Sequence, residues 1–194
     1  MKKLLFLSAV IFQSILLHAQ DMPKGLNVNE NAPNFSLADQ NGNTINLQQE
    51  SAKGSVILVF YRGQWCPYCN KQLSDLEDSL SQIIAKGATL IAITPEKPEN
   101  IKTTIKKTKA AYSILFDDGL QVMKAYDVAF TVDAATIDKY KKYGIDFNKA
   151  NGINGANLPV PAIYVINKEG IIVYKYFDTD YTKRGSVKDI LEHL

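Results

Sequence analysis

The chain has 194 residues, 46% hydrophobic and 22% charged, which excludes a disordered tail, a collagen-like fibre and a polytopic membrane protein. Two Cys cannot make a disulfide-dense scaffold, and two His leave few ligands for a metal. Of the 22 Lys and Arg, Lys2 and Lys3 lie in the N-terminal segment; without them the count equals the 20 Asp and Glu, a balance that favours neither nucleic acid nor an anionic membrane as partner.

The first twenty residues read as an address. Met1-Lys2-Lys3 is a short positive start, Leu4 to Leu17 is largely apolar, and Ala19-Gln20 precedes a polar stretch. That is the layout of a secretory signal peptide, residues 1–20. The apolar run is shorter than the roughly 20 residues a membrane span needs. No Cys follows it to carry a lipid. A single domain over residues 21–194, exported and periplasmic, is the expectation, in a compartment that oxidises thiols.

Phe35-Ser36-Leu37 and Thr44-Ile45-Asn46-Leu47 flank the turn signal Asp39-Gln40-Asn41-Gly42, which predicts a hairpin. Ser55 to Tyr61 is a continuous apolar run suited to a strand buried on both faces. Cys69, Leu73, Leu76, Leu80 and Ile83 then form one helical stripe ending near Gly87. Thr89 to Ile93 is a second buried strand, 98–110 a basic helix, 112–116 a strand and Gly119 to Tyr126 a short helix. Residues 133–143 form an extra helix. Val160 to Ile166 and Ile171 to Phe177 are strands around Asn167-Lys168-Glu169-Gly170, and Val187 to Leu194 is a closing helix. Strands alternating with helices, and a late hairpin, specify an α/β domain with a mixed sheet.

The chemistry lies at Gly63-Gln64-Trp65-Cys66-Pro67-Tyr68-Cys69, between a buried strand and an amphipathic helix. Cys-x-x-Cys at such a junction is a redox signature. Pro67 suits the first helical position, where its missing N–H costs nothing, which makes Cys66 the N-cap. A thiolate at Cys66 is then stabilised by the first-turn N–H groups and the helix dipole, with Arg62 and Lys71 adding to it. Cys69 continues the apolar stripe and is expected to be the more buried sulfur. Residues three apart on a helix are neighbours, so a Cys66–Cys69 disulfide needs only a small adjustment. So short a loop stabilises little as a permanent bridge, and zinc lacks further ligands, since His18 lies in the signal segment and His193 at the C-terminus. Leu158-Pro159-Val160-Pro161-Ala162 leads into a strand, and a cis Pro161 would present the Val160 backbone to a substrate beside the thiols. No flavin, nicotinamide, haem or phosphate-loop motif is present, so no cofactor is expected.

Several further segments carry a resemblance: Ala32-Pro33-Asn34-Phe35-Ser36-Leu37, Val59-Phe60-Tyr61, Leu115-Phe116-Asp117-Asp118 and Ile163 to Gly170, together with the cysteine block, the insertion near Gly144-Ile145-Asp146 and the tail Asp178 to Arg184. Over residues 28–194 the chain resembles the alkyl hydroperoxide reductase/thiol-specific antioxidant family, the peroxiredoxin-like branch of the thioredoxin-fold superfamily. The resemblance implies a thioredoxin-like α/β fold: a central mixed β-sheet flanked by helices, with an N-terminal β-hairpin extension. It also implies a thiol peroxidase served by a thioredoxin-like electron donor, and it allows a homodimer. In the family register Cys69 stands at the peroxidatic position. Cys66 stands where typical members carry Thr, Arg62 where they carry Pro, and Pro161 where they carry Arg. Arg62 and Arg184 are candidates to stand in for that Arg. Trp65-Cys66-x-x-Cys69 with Pro161 is, conversely, similar to thioredoxins and their exported relatives.

Three readings follow. As a peroxidase, a thiolate attacks hydrogen peroxide or an alkyl hydroperoxide, becomes a sulfenic acid and is resolved by the other Cys. The register assigns the attack to Cys69, the capping argument to Cys66. As a thiol–disulfide oxidoreductase, Cys66 attacks a protein disulfide and Cys69 releases it. As a non-enzymatic binding module, the domain would need inert sulfurs, which their helix-start position opposes. Lys102, Lys106, Lys107 and Lys109 read as a solvated helix face. Tyr140 and Tyr143 read as packing in the insertion, with a cover over the active site or an interface as the alternatives.

Overall fold

The computed structural model describes residues 22–194, and the expected signal peptide lies outside them. In chain order the elements are β1 (Ser36–Ala38), β2 (Thr44–Asn46), α1 (Leu47–Ser51), β3 (Val56–Phe60), α2 (Pro67–Asp78), α3 (Leu80–Ala85), β4 (Thr89–Thr94), α4 (Pro98–Thr108) and β5 (Ser113–Phe116). There follow α5 (Gln121–Ala125), β6 (Ala129–Thr131), α6 (Ala134–Lys142), α7 (Phe147–Asn151), β7 (Asn157–Pro159), β8 (Ala162–Ile166), β9 (Ile172–Phe177) and α8 (Val187–Glu192). The five-stranded sheet has the order β5-β4-β3-β8-β9. β3, β4 and β5 are parallel, while β8 runs antiparallel to both β3 and β9. β1 and β2 form the predicted N-terminal hairpin.

The unbroken apolar run of β3 follows from helices and loops covering both faces. Ile57 and Val59 point into one core with Leu73, Leu76, Ile101 and Ile190. Val56, Leu58 and Phe60 point into the other, with Phe35, Met123, Tyr126 and Tyr164. Successive strand side chains alternate between faces, so both sets must be apolar. Burying each of the α2 leucines contributes about 1.5–3 kcal/mol and fixes the helix that carries the cysteines.

Two readings need adjustment. The single stripe from Cys69 to Ile83 is two helices, broken at Ser79 (φ −102°, ψ 2°), whose hydroxyl donates to the Asp75 carbonyl at 3.0 Å. Side-chain-to-backbone competition of that kind disfavours a continuous helix. The segment from Gly119 begins as a 3-10 turn, with Gly119 and Leu120 at positive φ, and is helical only over α5. The extra helix is confirmed as α6, capped by Asp133, which accepts from the Thr136 N–H at 2.9 Å. It belongs to a larger insertion with α7 and the small β6–β7 sheet, around a minor core of Val132, Phe147 and Leu158.

Candidate active site

The site starts where β3 ends. The Tyr61 N–H donates to Ile93 O at 3.1 Å, and the loop Arg62–Trp65 then turns into α2. Four contacts hold that loop. Glu96 Oε2 accepts from the Gln64 N–H at 2.7 Å, and Asn70 Nδ2 donates to Gln64 O at 2.8 Å. Lys107 Nζ donates to Gln64 O at 2.9 Å and to Gln64 Oε1 at 2.6 Å. Gly63 is required by proximity: a Cβ there would lie 2.7 Å from the Glu96 carboxyl and 2.6 Å from Trp65 Nε1.

Pro67 opens the helix and Cys66 is its N-cap, extended at φ −89°, ψ 110°. Its sulfur accepts from the Cys69 N–H at 3.4 Å. Both cysteines are free thiols, and their sulfurs lie 2.7 Å apart, close enough to share one proton. Arg184 Nη2 lies 3.5 Å from Cys69 Sγ. Its Nη1 donates to the carbonyls of Tyr181 and Lys183, which fixes the guanidinium.

These contacts place the negative charge on Cys69. Burial pushes its thiol up, but the hydrogen bond from Cys66, the Arg184 guanidinium and the Arg62 N–H and charge outweigh that and bring it below the usual thiol range. Cys66 is pushed up, first by its hydrogen bond to Cys69 and then by burial, against the opposing Cys69 N–H and Arg62. Of the two assignments the sequence left open, the contacts favour the register's Cys69 over the capping argument's Cys66. Cys66 does cap the helix, but two sulfurs in contact in a buried site hold one charge, and the nearest guanidinium selects Cys69. Both sulfurs are buried, Cys66 at 1% and Cys69 at 0% exposure, and of the two only Cys66 lines the adjoining cavity.

That cavity, about 650 Å³, lies beneath the insertion. Trp65, Tyr68, Tyr140, Tyr181 and Pro161 line it beside Cys66. Arg62 also lines it and is only 4% exposed. Its guanidinium carbon sits 5.0 Å from the Trp65 ring centroid, 5.5 Å from Tyr140 and 4.2 Å from Tyr181. Trp65 in turn stacks edge-on against Tyr140 at 5.3 Å and Phe147 at 5.6 Å, and Tyr68 against Tyr181 at 6.0 Å. Desolvated cation–π contacts of this kind contribute up to about 2 kcal/mol each.

Arg62, Trp65, Cys66, Pro67, Tyr68, Cys69 and Pro161 thus come together as the sequence predicts, and Arg184 reaches the sulfurs from the C-terminal tail. Two details differ. The Val160–Pro161 bond is trans, and the Val160 N–H is engaged with Val128 O at 2.8 Å. Lys71 is paired with Asp75 at 2.8 Å on the exposed face of α2 instead of supporting the thiolate. Tyr140, for which packing was preferred, takes the alternative role of covering the site. One site residue was missed. Glu96, fully buried behind the loop, has one oxygen without a partner, and burial raises its carboxyl to about 8 despite the Gln64 N–H, with the Cys69 charge adding to the rise. Its signal was its place just after a parallel strand, at the carboxyl edge where open α/β sheets carry their sites.

Comparison with known proteins agrees with this geometry. The AhpC/TSA family profile matches residues 28–175. The chain is 29% identical over 144 residues to chloroplastic peroxiredoxin Q of Triticum aestivum, covering 74% of this chain and 56% of that one. It thus spans about half the length of the curated relatives it matches. In structure it is similar to peroxidoxin BcpB from Mycobacterium tuberculosis (TM-score 0.65, 17% identity, 86% of this chain and 94% of that one). It is also similar to the thioredoxin domain of a thiol-disulfide oxidoreductase from Bacteroides vulgatus (TM-score 0.56, 21% identity, 81% and 93%). A thioredoxin-type sheet, a cysteine pair at the start of its first long helix and a profile match over most of the described residues converge: the chain belongs to the AhpC/TSA family.

Proposed function

We propose that this protein is a thiol peroxidase that reduces hydrogen peroxide or alkyl hydroperoxides through a Cys66/Cys69 dithiol–disulfide cycle. The observation that carries this reading is the sulfur pair at 2.7 Å with a guanidinium 3.5 Å from Cys69. The Cys69 thiolate attacks the terminal peroxide oxygen; an S–O bond forms, the O–O bond breaks, and sulfur is oxidised by two electrons. Cys66 then attacks the sulfenic sulfur, water leaves, and the disulfide closes. A thioredoxin-like dithiol attacks Cys66, the sulfur that faces the cavity, and Cys69 departs as the stabilised thiolate. A leaving thiol of low pKa departs faster, so the charge that prepares attack also favours re-reduction. The signal-like N-terminus and the oxidant-facing chemistry support an exported, periplasmic site of action.

The test is the rate at which the reduced protein loses its thiols to equimolar hydrogen peroxide. A rate far above that of a small thiol of matched pKa supports the peroxidase; an equal rate overturns it. A second reading, disulfide reduction, is favoured by Cys66 being the cavity-facing sulfur. Fast reduction of a model protein disulfide by a protein slow with peroxide would establish it instead.

A further inference from the structure

Only one sulfur of the pair meets the cavity of about 650 Å³. Cys66 lines it and Cys69 does not, so a nucleophile inside it attacks Cys66 and expels Cys69. Cys66 is 1% exposed, so an attacking group must pass between the side chains of the wall. The backbone edge beside it is also taken: the Val160 N–H donates to Val128 O at 2.8 Å, which leaves no free N–H there for an extended peptide. A compact molecule needs neither a flat contact nor a strand edge. The volume lies within the roughly 300–1,000 Å³ of small-ligand pockets.

The wall selects the body of that molecule. Four of the seven large apolar side chains exposed among the described residues, Met22, Tyr68, Tyr143 and Tyr181, line this one cavity, and Trp65 and Phe130 add two more rings. Exposed apolar surface gathered in a concave site marks a place for an apolar ligand, and aromatic walls suit a ring. Charge adds little to the choice. Lys139 and Asp133 on the wall oppose each other in sign, and Arg62 is engaged with the charge of the cysteines. The disulfide at the wall selects the reacting group, since the nucleophile that exchanges with a disulfide is a thiolate.

We propose that this cavity binds a small thiol with an aromatic body, which reduces the Cys66–Cys69 disulfide directly, in addition to a protein dithiol; this rests on the dithiol–disulfide cycle of the peroxidase reading. The bound thiolate attacks Cys66 Sγ, the Cys66–Cys69 bond breaks, and Cys69 leaves as the thiolate beside Arg184. A second thiolate attacks the small-molecule sulfur of the mixed disulfide and departs with it as a symmetric disulfide. Two electrons pass to the protein. Of the two thiol protons one stays between Cys66 and Cys69 and the other goes to water.

The test compares phenylmethanethiol with 2-mercaptoethanol, two alkyl thiols of similar basicity, at equal thiolate concentration. The protein disulfide is made beforehand with diamide, so the result does not depend on the peroxide rate. The aromatic thiol is expected to reduce the disulfide about tenfold faster or more, the scale set by burying one apolar ring. Trp65, the chain's only tryptophan, lines the cavity, so the unreactive benzyl methyl sulfide is expected to change its fluorescence saturably. Thr136→Phe, which fills the cavity from α6, is expected to bring the ratio of the two thiol rates close to one and to abolish the fluorescence change. Equal rates for the two thiols on the wild type, no saturable change at Trp65, or a ratio that survives in Thr136→Phe would each overturn the proposal. Slow loss of thiols to hydrogen peroxide defeats the peroxidase reading instead and is a separate outcome.

Discussion

The sulfurs of Cys66 and Cys69 share one negative charge, and the residue that places it is 115 positions away in the chain. Arg184→Gln is expected to raise the Cys69 titration by about one unit or more, roughly 1.4 kcal/mol of lost thiolate stabilisation, since a guanidinium near 4 Å is worth several kcal/mol before screening. The ultraviolet thiolate absorbance of the reduced protein against pH checks this; an unmoved titration contradicts it. The Cys-x-x-Cys pair, its helix-start position and Pro67 were all legible from local spacing. The identity of the thiolate was left open, the register pointing to Cys69 and the capping argument to Cys66. Helix capping acts within four residues and is visible in sequence, whereas the Arg184 contact exists only once the tail folds back. Glu96, 27 positions from Cys69, belongs to no motif; only its place just after β4, at the carboxyl edge of the sheet, pointed to it.

Among the elements, α6 decides what the cavity looks like. Tyr140 projects from it onto Arg62 and Trp65, and its first turn depends on the Asp133 cap. Asp133→Ala is expected to cost about 1 kcal/mol, as lost caps do. Because the insertion has its own minor core, that cost should appear as faster hydrogen exchange in α6 while β3 and β4 remain protected. Acceleration spread evenly over the sheet would contradict this. The extra helix over 133–143 could be anticipated from the sequence. The five-residue α7 and the three-residue β6 and β7 could not, because elements so short show no measurable period. The break at Ser79 was hidden for the opposite reason: the apolar stripe continues across it in helical register, and both α2 and α3 bury that face.

The whole molecule stacks a sheet between two cores and leaves its buried charges at one edge of that sheet. The topology was readable because β3 and β4 are apolar on both faces and the late hairpin forces β8 and β9 to run antiparallel. The burial of Glu96 at that edge makes stability pH-dependent. Its carboxyl is raised from 4.5 to about 8, so the folded protein holds a proton that the unfolded chain has released. That contribution is full below about 4.5 and is lost as pH rises through 8, at up to about 1.4 kcal/mol per unit. Glu96→Gln should therefore gain on the wild type across that window in urea denaturation of the reduced proteins; a constant difference would contradict the assignment. The central claim, that Cys69 attacks the peroxide and Cys66 resolves it, is tested most directly by trapping sulfenic acid in reduced Cys66→Ser and Cys69→Ser after a single dose of hydrogen peroxide. Rapid sulfenic acid in Cys66→Ser and none in Cys69→Ser is the predicted result; the reverse pattern would contradict the account.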